Sequence, residues 1–134
     1  ENYLTFCIIE LSKILLEKYS GVVPSDKNQL MTLPGVGSKT ANVILNVLFN
    51  QPTIAVDTHV LRVSGRLGLS ESKNPIKVEE DLERIIPEHH KINIGHRLVL
   101  HGRYVCRARS PSCAVCCLAD LCPSFSSEKR NKCS

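Results

Sequence analysis

A chain of 134 residues with 43% hydrophobic content has the size and composition of one globular domain with a core, so disorder is not its default reading. Its formal net charge of +4 is modest, but five Lys and Arg residues lie between Lys91 and Arg109 with no acidic residue among them, a stretch suited to meeting a polyanion. The segment from Glu1 to Gly21 carries acidic residues throughout, unlike a signal peptide or a membrane span, and places the protein in solution inside a cell, away from membranes.

Leu4, Ile8, Leu11 and Leu15 recur at a helical period and Gly21 follows as a stop signal, so the chain is expected to open as a helix. Pro24, Ser25 and Asp26 punctuate it, and a short apolar segment then reaches Leu30 and Leu33. Pro34-Gly35-Val36-Gly37 breaks that segment before a second helix begins near Ser38, with Ala41, Ile44, Leu45 and Leu48 on its apolar face. A third helix is expected to start near Asp57 and to turn Val60, Leu61, Ser64 and Leu67 inward. Asn74-Pro75 supplies a cap and first-turn pair for a fourth, whose inner face is Val78, Leu82, Ile85 and Ile86. A fifth is expected from about His90 to Tyr104. With no sustained strand alternation and no internal repeat, the chain reads as all-α, closed by an irregular cysteine-bearing loop.

The turn Leu33-Pro34-Gly35-Val36-Gly37 joins two helices, and its glycines let the backbone take positive φ and approach a ligand without a Cβ in the way. Amides beside a helix N-terminus suit a phosphate. Two other phosphate loops are excluded: the third glycine of the dinucleotide fingerprint is missing, and Ser38 stands where a Walker A loop needs glycine before lysine. Read from the pattern alone, a plain turn between packed helices remains an equal alternative.

Seven cysteines are many for this length, and no export signal favours disulfides. Cys106, Cys113, Cys116 and Cys122 crowd together near the C-terminus in the pattern C-x6-C-x2-C-x5-C, which suits a metal centre. Spacing leaves open whether four thiolates hold zinc or an iron–sulfur cluster. Cys117 offers a second sulfur beside Cys116, Cys7 reads as a core residue and Cys133 as a free thiol in a polar tail. Arg107 and Arg109 fall in the first loop of the centre, where a metal staple would present them to phosphates. His59, His96 and His101 have no spacing that specifies a metal site and read as structural or hydrogen-bonding residues.

Taken together, Leu33-Pro-Gly-Val-Gly-Ser-Lys-Thr-Ala-Asn-Val, Pro52-Thr-Ile-Ala-Val-Asp-Thr-His and Leu100-His-Gly-Arg-Tyr-Val-Cys closely resemble endonuclease III of the helix-hairpin-helix DNA glycosylases, through essentially the whole chain. The resemblance implies that fold, with residues 1–51 a partial helical barrel bearing the hairpin and residues 52–134 a helical domain ending in the cluster loop. It implies double-stranded DNA with damaged or abasic sites as partner, a monomer, and the bacterial cytosol. The hairpin residues Leu33, Gly35, Val36 and Gly37, with Thr40, would grip the DNA backbone. Lys39 would be the nucleophile and Asp57 the second catalytic group, and the four cysteines would hold a [4Fe-4S] cluster through Cys116 rather than Cys117.

The chemistry agrees with that transfer. A glycosylase that also cuts the strand needs an amine to attack the sugar C1′ and to hold a Schiff base. A lysine with the ordinary pKa of about 10.4 is protonated at neutral pH, so the site must favour the neutral amine, as a helix N-terminus and burial against DNA both do. An aspartate opposes that shift, which assigns Asp57 to proton transfer or to charge developing on the sugar. Apart from the resemblance, Asp57 reads as a helix cap and Lys39 as a surface lysine. The adenine-removing relative normally has serine at the position of Lys39, which argues against that activity here. The chain begins at Glu1, where the family is already well into its barrel; loss of the earlier helices would expose Leu4, Ile8 and Leu11 and would favour a catalytically inert DNA-binding module as the competing function.

Overall fold

The computed structural model describes residues 2–125; Cys133 lies outside them. The fold is all-α. Six helices run in the order α1 (Tyr3–Tyr19), α2 (Lys27–Met31), α3 (Ser38–Phe49), α4 (Thr58–Leu67), α5 (Pro75–Ile85) and α6 (Glu88–Tyr104), followed by 3₁₀ turns at Cys113–Val115 and Ala119–Leu121. They form two compact units that divide between Thr53 and Ile54. No helix among the described residues is long and apolar enough to cross a membrane.

In the first unit, α1 starts under the Asn2 side chain, which accepts the Leu4 amide, and ends with Ser20 in the left-handed conformation, one residue before the expected Gly21. The short apolar segment is itself a helix, α2, because Asp26 caps it by accepting the Gln29 amide at 2.9 Å. Leu30, Leu33, Ala41 and Leu45 form the core, with Leu11, Ile14, Leu15 and Tyr19 of α1 packed on it. The inner faces differ from those read by period. Leu4 and Ile8 are 62% and 56% exposed, whereas Leu11, expected to be exposed with them, packs on the core. On α3, Leu48 is 61% exposed while Asn42 is buried beside Ala41 and Leu45, so burial ends before the last turn of the helix.

In the second unit, Ile54 and Val56 alternate inward along the extended segment that precedes α4. Val60, Val63 and Ser64 of α4 are completely buried, at spacings that share one helical face, with Val78, Leu82 and Leu98 packed in the same core. Val63 was missing from the expected face of that helix, and Ile85, expected inward on α5, is exposed. α5 begins as expected at Asn74-Pro75, the asparagine accepting the Ile76 amide at 2.9 Å. Helices α4 and α6 cross where Gly102 offers no side chain: a Cβ there would lie 3.0 Å from both His59 Cβ and Val63 Cγ2.

Candidate active site and metal centre

The hairpin is built from the core outward. Leu33 is buried at 4% exposure, and its carbonyl accepts the Val36 amide at 3.1 Å, closing the turn. Gly35 takes φ +78°, which calls for glycine, while a Cβ there would stand in ordinary contact with Cys7 Cβ of α1, at 3.4 Å. Gly37 is different: a side chain there would meet nothing within 4 Å, and the residue serves as N-cap of α3 without a side-chain cap. Its bareness leaves the backbone at the end of α3 accessible from outside. Lys39 and Thr40 follow in the first turn of that helix, both exposed. The sequence-derived hairpin set is therefore gathered at one end of α3, except that the Leu33 side chain belongs to the core.

Asp57 opens the second unit's first helix. Its Oδ1 accepts the Val60 amide at 2.8 Å, which makes it the N-cap of α4. The residue is half-buried, between the buried Val56 and Val60 in sequence. Lys39 lies in the first unit and Asp57 in the second.

Cys106, Cys113, Cys116 and Cys122 all line one small cavity of about 30 Å³, walled otherwise by groups such as Leu67, Val105, Pro111 and Phe125. Among the described residues, no three or more His, Cys, Asp or Glu side chains converge on a single ion position. Cys117 is exposed and does not line the cavity, whereas Cys116 does, with Sγ 3.7 Å from His101 Nε2. The segment is fastened to α4 by two arginines one turn apart. Arg62 Nε donates to the Cys106 carbonyl at 3.1 Å and its Nη2 to the Gly102 carbonyl at 2.7 Å. Arg66 Nη1 donates to the Arg107 carbonyl at 2.7 Å and to Cys106 Sγ at 3.3 Å.

The basic stretch is not uniformly available to a polyanion. Lys91 pairs with Glu83 at 3.0 Å and Glu88 at 3.1 Å, and those hydrogen bonds, Glu83 first, raise its pKa above the ordinary lysine value. The Arg107 guanidinium folds back onto its own loop, donating to the Ser110 carbonyl at 3.0 Å and to Ser112 Oγ at 3.1 Å. Arg109 is exposed.

A family model described as the HhH-GPD superfamily of base excision DNA repair proteins matches residues 7–88, from α1 through the hairpin and Asp57 into α6. The chain belongs to this superfamily. Within it, the chain is 52% identical over 115 residues to endonuclease III of Treponema pallidum and 51% identical over 115 residues to that of Escherichia coli K12. Each match covers 86% of this chain and 54% of the relative, so the chain spans about half the length of the curated relatives it matches. Among solved structures, a trapped endonuclease III–DNA covalent intermediate matches with a TM-score of 0.85 at 46% identity, over 92% of this chain and 59% of that one. A thermostable thymine-DNA glycosylase matches with a TM-score of 0.77 at 26% identity, over 88% and 56% of the respective chains.

What sequence reasoning missed in this HhH-GPD chain is the layer around the cysteines. Arg62 and Arg66 gave no signal, since their partners lie about forty residues downstream. His101 was read as a hydrogen-bonding residue, but not as a neighbour of Cys116.

Proposed function

We propose that this protein acts on double-stranded DNA in base excision repair, as a bifunctional glycosylase and apurinic/apyrimidinic lyase for oxidised pyrimidines. The observation that carries the reading is the hairpin at residues 33–37: a turn closed from the core, delivering an α3 N-terminus without a side-chain cap and an exposed Lys39 in its first turn. In this reading Gly35, Val36, Gly37 and Thr40 hold the DNA backbone at that helix end, with Leu33 anchoring them.

Lys39 Nζ, as the neutral amine, attacks C1′ of the damaged nucleotide; the bond from C1′ to the base breaks and its electron pair leaves with the base. The sugar opens to a Schiff base on Nζ, loss of a C2′ proton expels the 3′ phosphate by β-elimination, and water frees the lysine. Asp57 serves proton transfer or steadies the positive charge that develops on the sugar. Lys39 is exposed in the free chain, so the bound DNA supplies the desolvation that favours the neutral amine. We further place the protein as a monomer in the bacterial cytosol.

For the metal centre we propose a [4Fe-4S] cluster on Cys106, Cys113, Cys116 and Cys122, with structural zinc as the alternative. Four soft thiol donors around one cavity support a metal centre of either kind, and the resemblance of their spacing to that of endonuclease III is what favours iron–sulfur over zinc. When bound, the cluster cross-links the C-terminal segment and holds the loop that carries Arg109 toward phosphates; no redox turnover is required.

The test is to incubate the chain with DNA holding an abasic site and to reduce with borohydride. A covalent adduct that disappears in Lys39→Ala is the expected result; no adduct from the parent chain sinks the lyase. That second outcome would favour a DNA-binding module that keeps the hairpin and metal centre without catalysis. The exposed Leu4, Phe6 and Ile8 of α1 and Val47 and Leu48 of α3 are the observation on its side.

A further inference from the structure

Arg66 stands in the last turn of α4, forty residues before the first cysteine of the centre. Nearly all of its polar contacts reach into that segment. Nη1 lies 3.3 Å from the Cys106 carbonyl, 3.3 Å from Cys106 Sγ and 2.7 Å from the Arg107 carbonyl, and Nη2 donates to the Ala108 carbonyl at 3.1 Å. Its own carbonyl, at a helix end where intrahelical donors run out, accepts from Cys122 Sγ at 3.4 Å and from Ser124 Oγ at 2.9 Å. One residue thus touches both the first and the last of the four cysteines. The helix that carries it is anchored by Val60 and Val63, both completely buried.

We propose that Arg66 is a positioning residue for the metal centre: its guanidinium holds Cys106, and its carbonyl, through Ser124 Oγ, holds the chain two residues past Cys122, so that the outer two ligands are presented together even when Cys122 has given up its thiol proton to ligate. The inference rests on the metal reading above. A guanidinium suits the task because its planar fork serves several carbonyls and a sulfur at once, whereas an ammonium offers a point charge on a flexible stem. Its cationic N–H also complements the negative charge a ligating sulfur carries, and hydrogen bonds to ligand sulfurs are one of the levers on the reduction potential of an iron–sulfur centre.

The test compares the purified full chain with Arg66→Lys and Arg66→Ala. Iron, sulfide and zinc per chain are measured, then the rate of metal loss to EDTA, the midpoint potential where iron is bound, and helix content by circular dichroism. Arg66→Lys is expected to keep its helix content yet hold metal about 10- to 100-fold more weakly, the range for removing an outer partner of a ligand, and so to lose it faster to EDTA. Its potential is expected to fall. Arg66→Lys with the parent's rate of metal loss and the parent's potential overturns the proposal, and this variant decides even if Arg66→Ala fails to fold. A parent that carries zinc sinks the iron–sulfur reading alone, and the rate comparison still judges Arg66; a parent that binds no metal overturns both.

Discussion

At Asp57, the side-chain oxygen that accepts the Val60 amide caps α4, and the same carboxylate is the proposed second catalytic group. Asparagine keeps an accepting oxygen at the cap but removes the negative charge, while alanine removes both. Asp57→Ala is expected to lose about 0.5–2 kcal/mol of stability, measured by urea unfolding, and Asp57→Asn far less. Both are expected to lose most strand cleavage on abasic DNA; full cleavage by Asp57→Asn would confine the residue to its cap. This cap was legible in the sequence because its partner is three residues away. The Gly35 turn was legible too, although only the structure shows that Cys7 of α1 is its neighbour. Arg62 and Arg66 were not legible, since an arginine's partners forty residues on leave no local pattern.

Among the elements, α5 carries its own pH response. Ser70 Oγ donates to Asp81 Oδ2 at 2.7 Å, and that bond, followed by the cations Lys77 and Arg84, holds the Asp81 carboxyl below the ordinary carboxylate value. A depressed carboxyl contributes stability above its ordinary pKa, and the contribution is lost as pH falls through the lower folded value. Ser70→Ala is expected to raise the Asp81 pKa toward the ordinary range in an NMR titration and to move the acid loss of stability to higher pH. An unchanged titration would show that the cations alone set it. Periodicity placed five of the six helices, and α2 appeared as an apolar segment because five residues are too few to show a period. Helical faces were less legible. A period shows which residues are apolar together, not how far along a helix its partner reaches: Leu4 and Ile8 continue the stripe of Leu11 and Leu15 beyond the end of the core, and Leu48 does the same on α3.

For the molecule as a whole, net charge overstates what can meet DNA. Lys91 is committed to Glu83 and Glu88, and Arg107 to its own loop, whereas Arg109 is exposed. Affinity for a DNA duplex is expected to fall linearly on a logarithmic salt scale, and Arg109→Ala to reduce that slope by about one unit, while Lys91→Ala leaves it nearly unchanged. Equal slopes for parent and Arg109→Ala, read by fluorescence anisotropy over a salt series, would remove Arg109 from the interface.

Every buried residue of the second unit's core, from Ile54 to Leu98, precedes Cys106 in the chain. The α4 arginines that reach the cysteine loop therefore stand on a core whose buried residues include none of the four sulfurs. Under the proposed metal reading, a chain deprived of its metal would keep this core and lose order only in the cysteine loop that follows it.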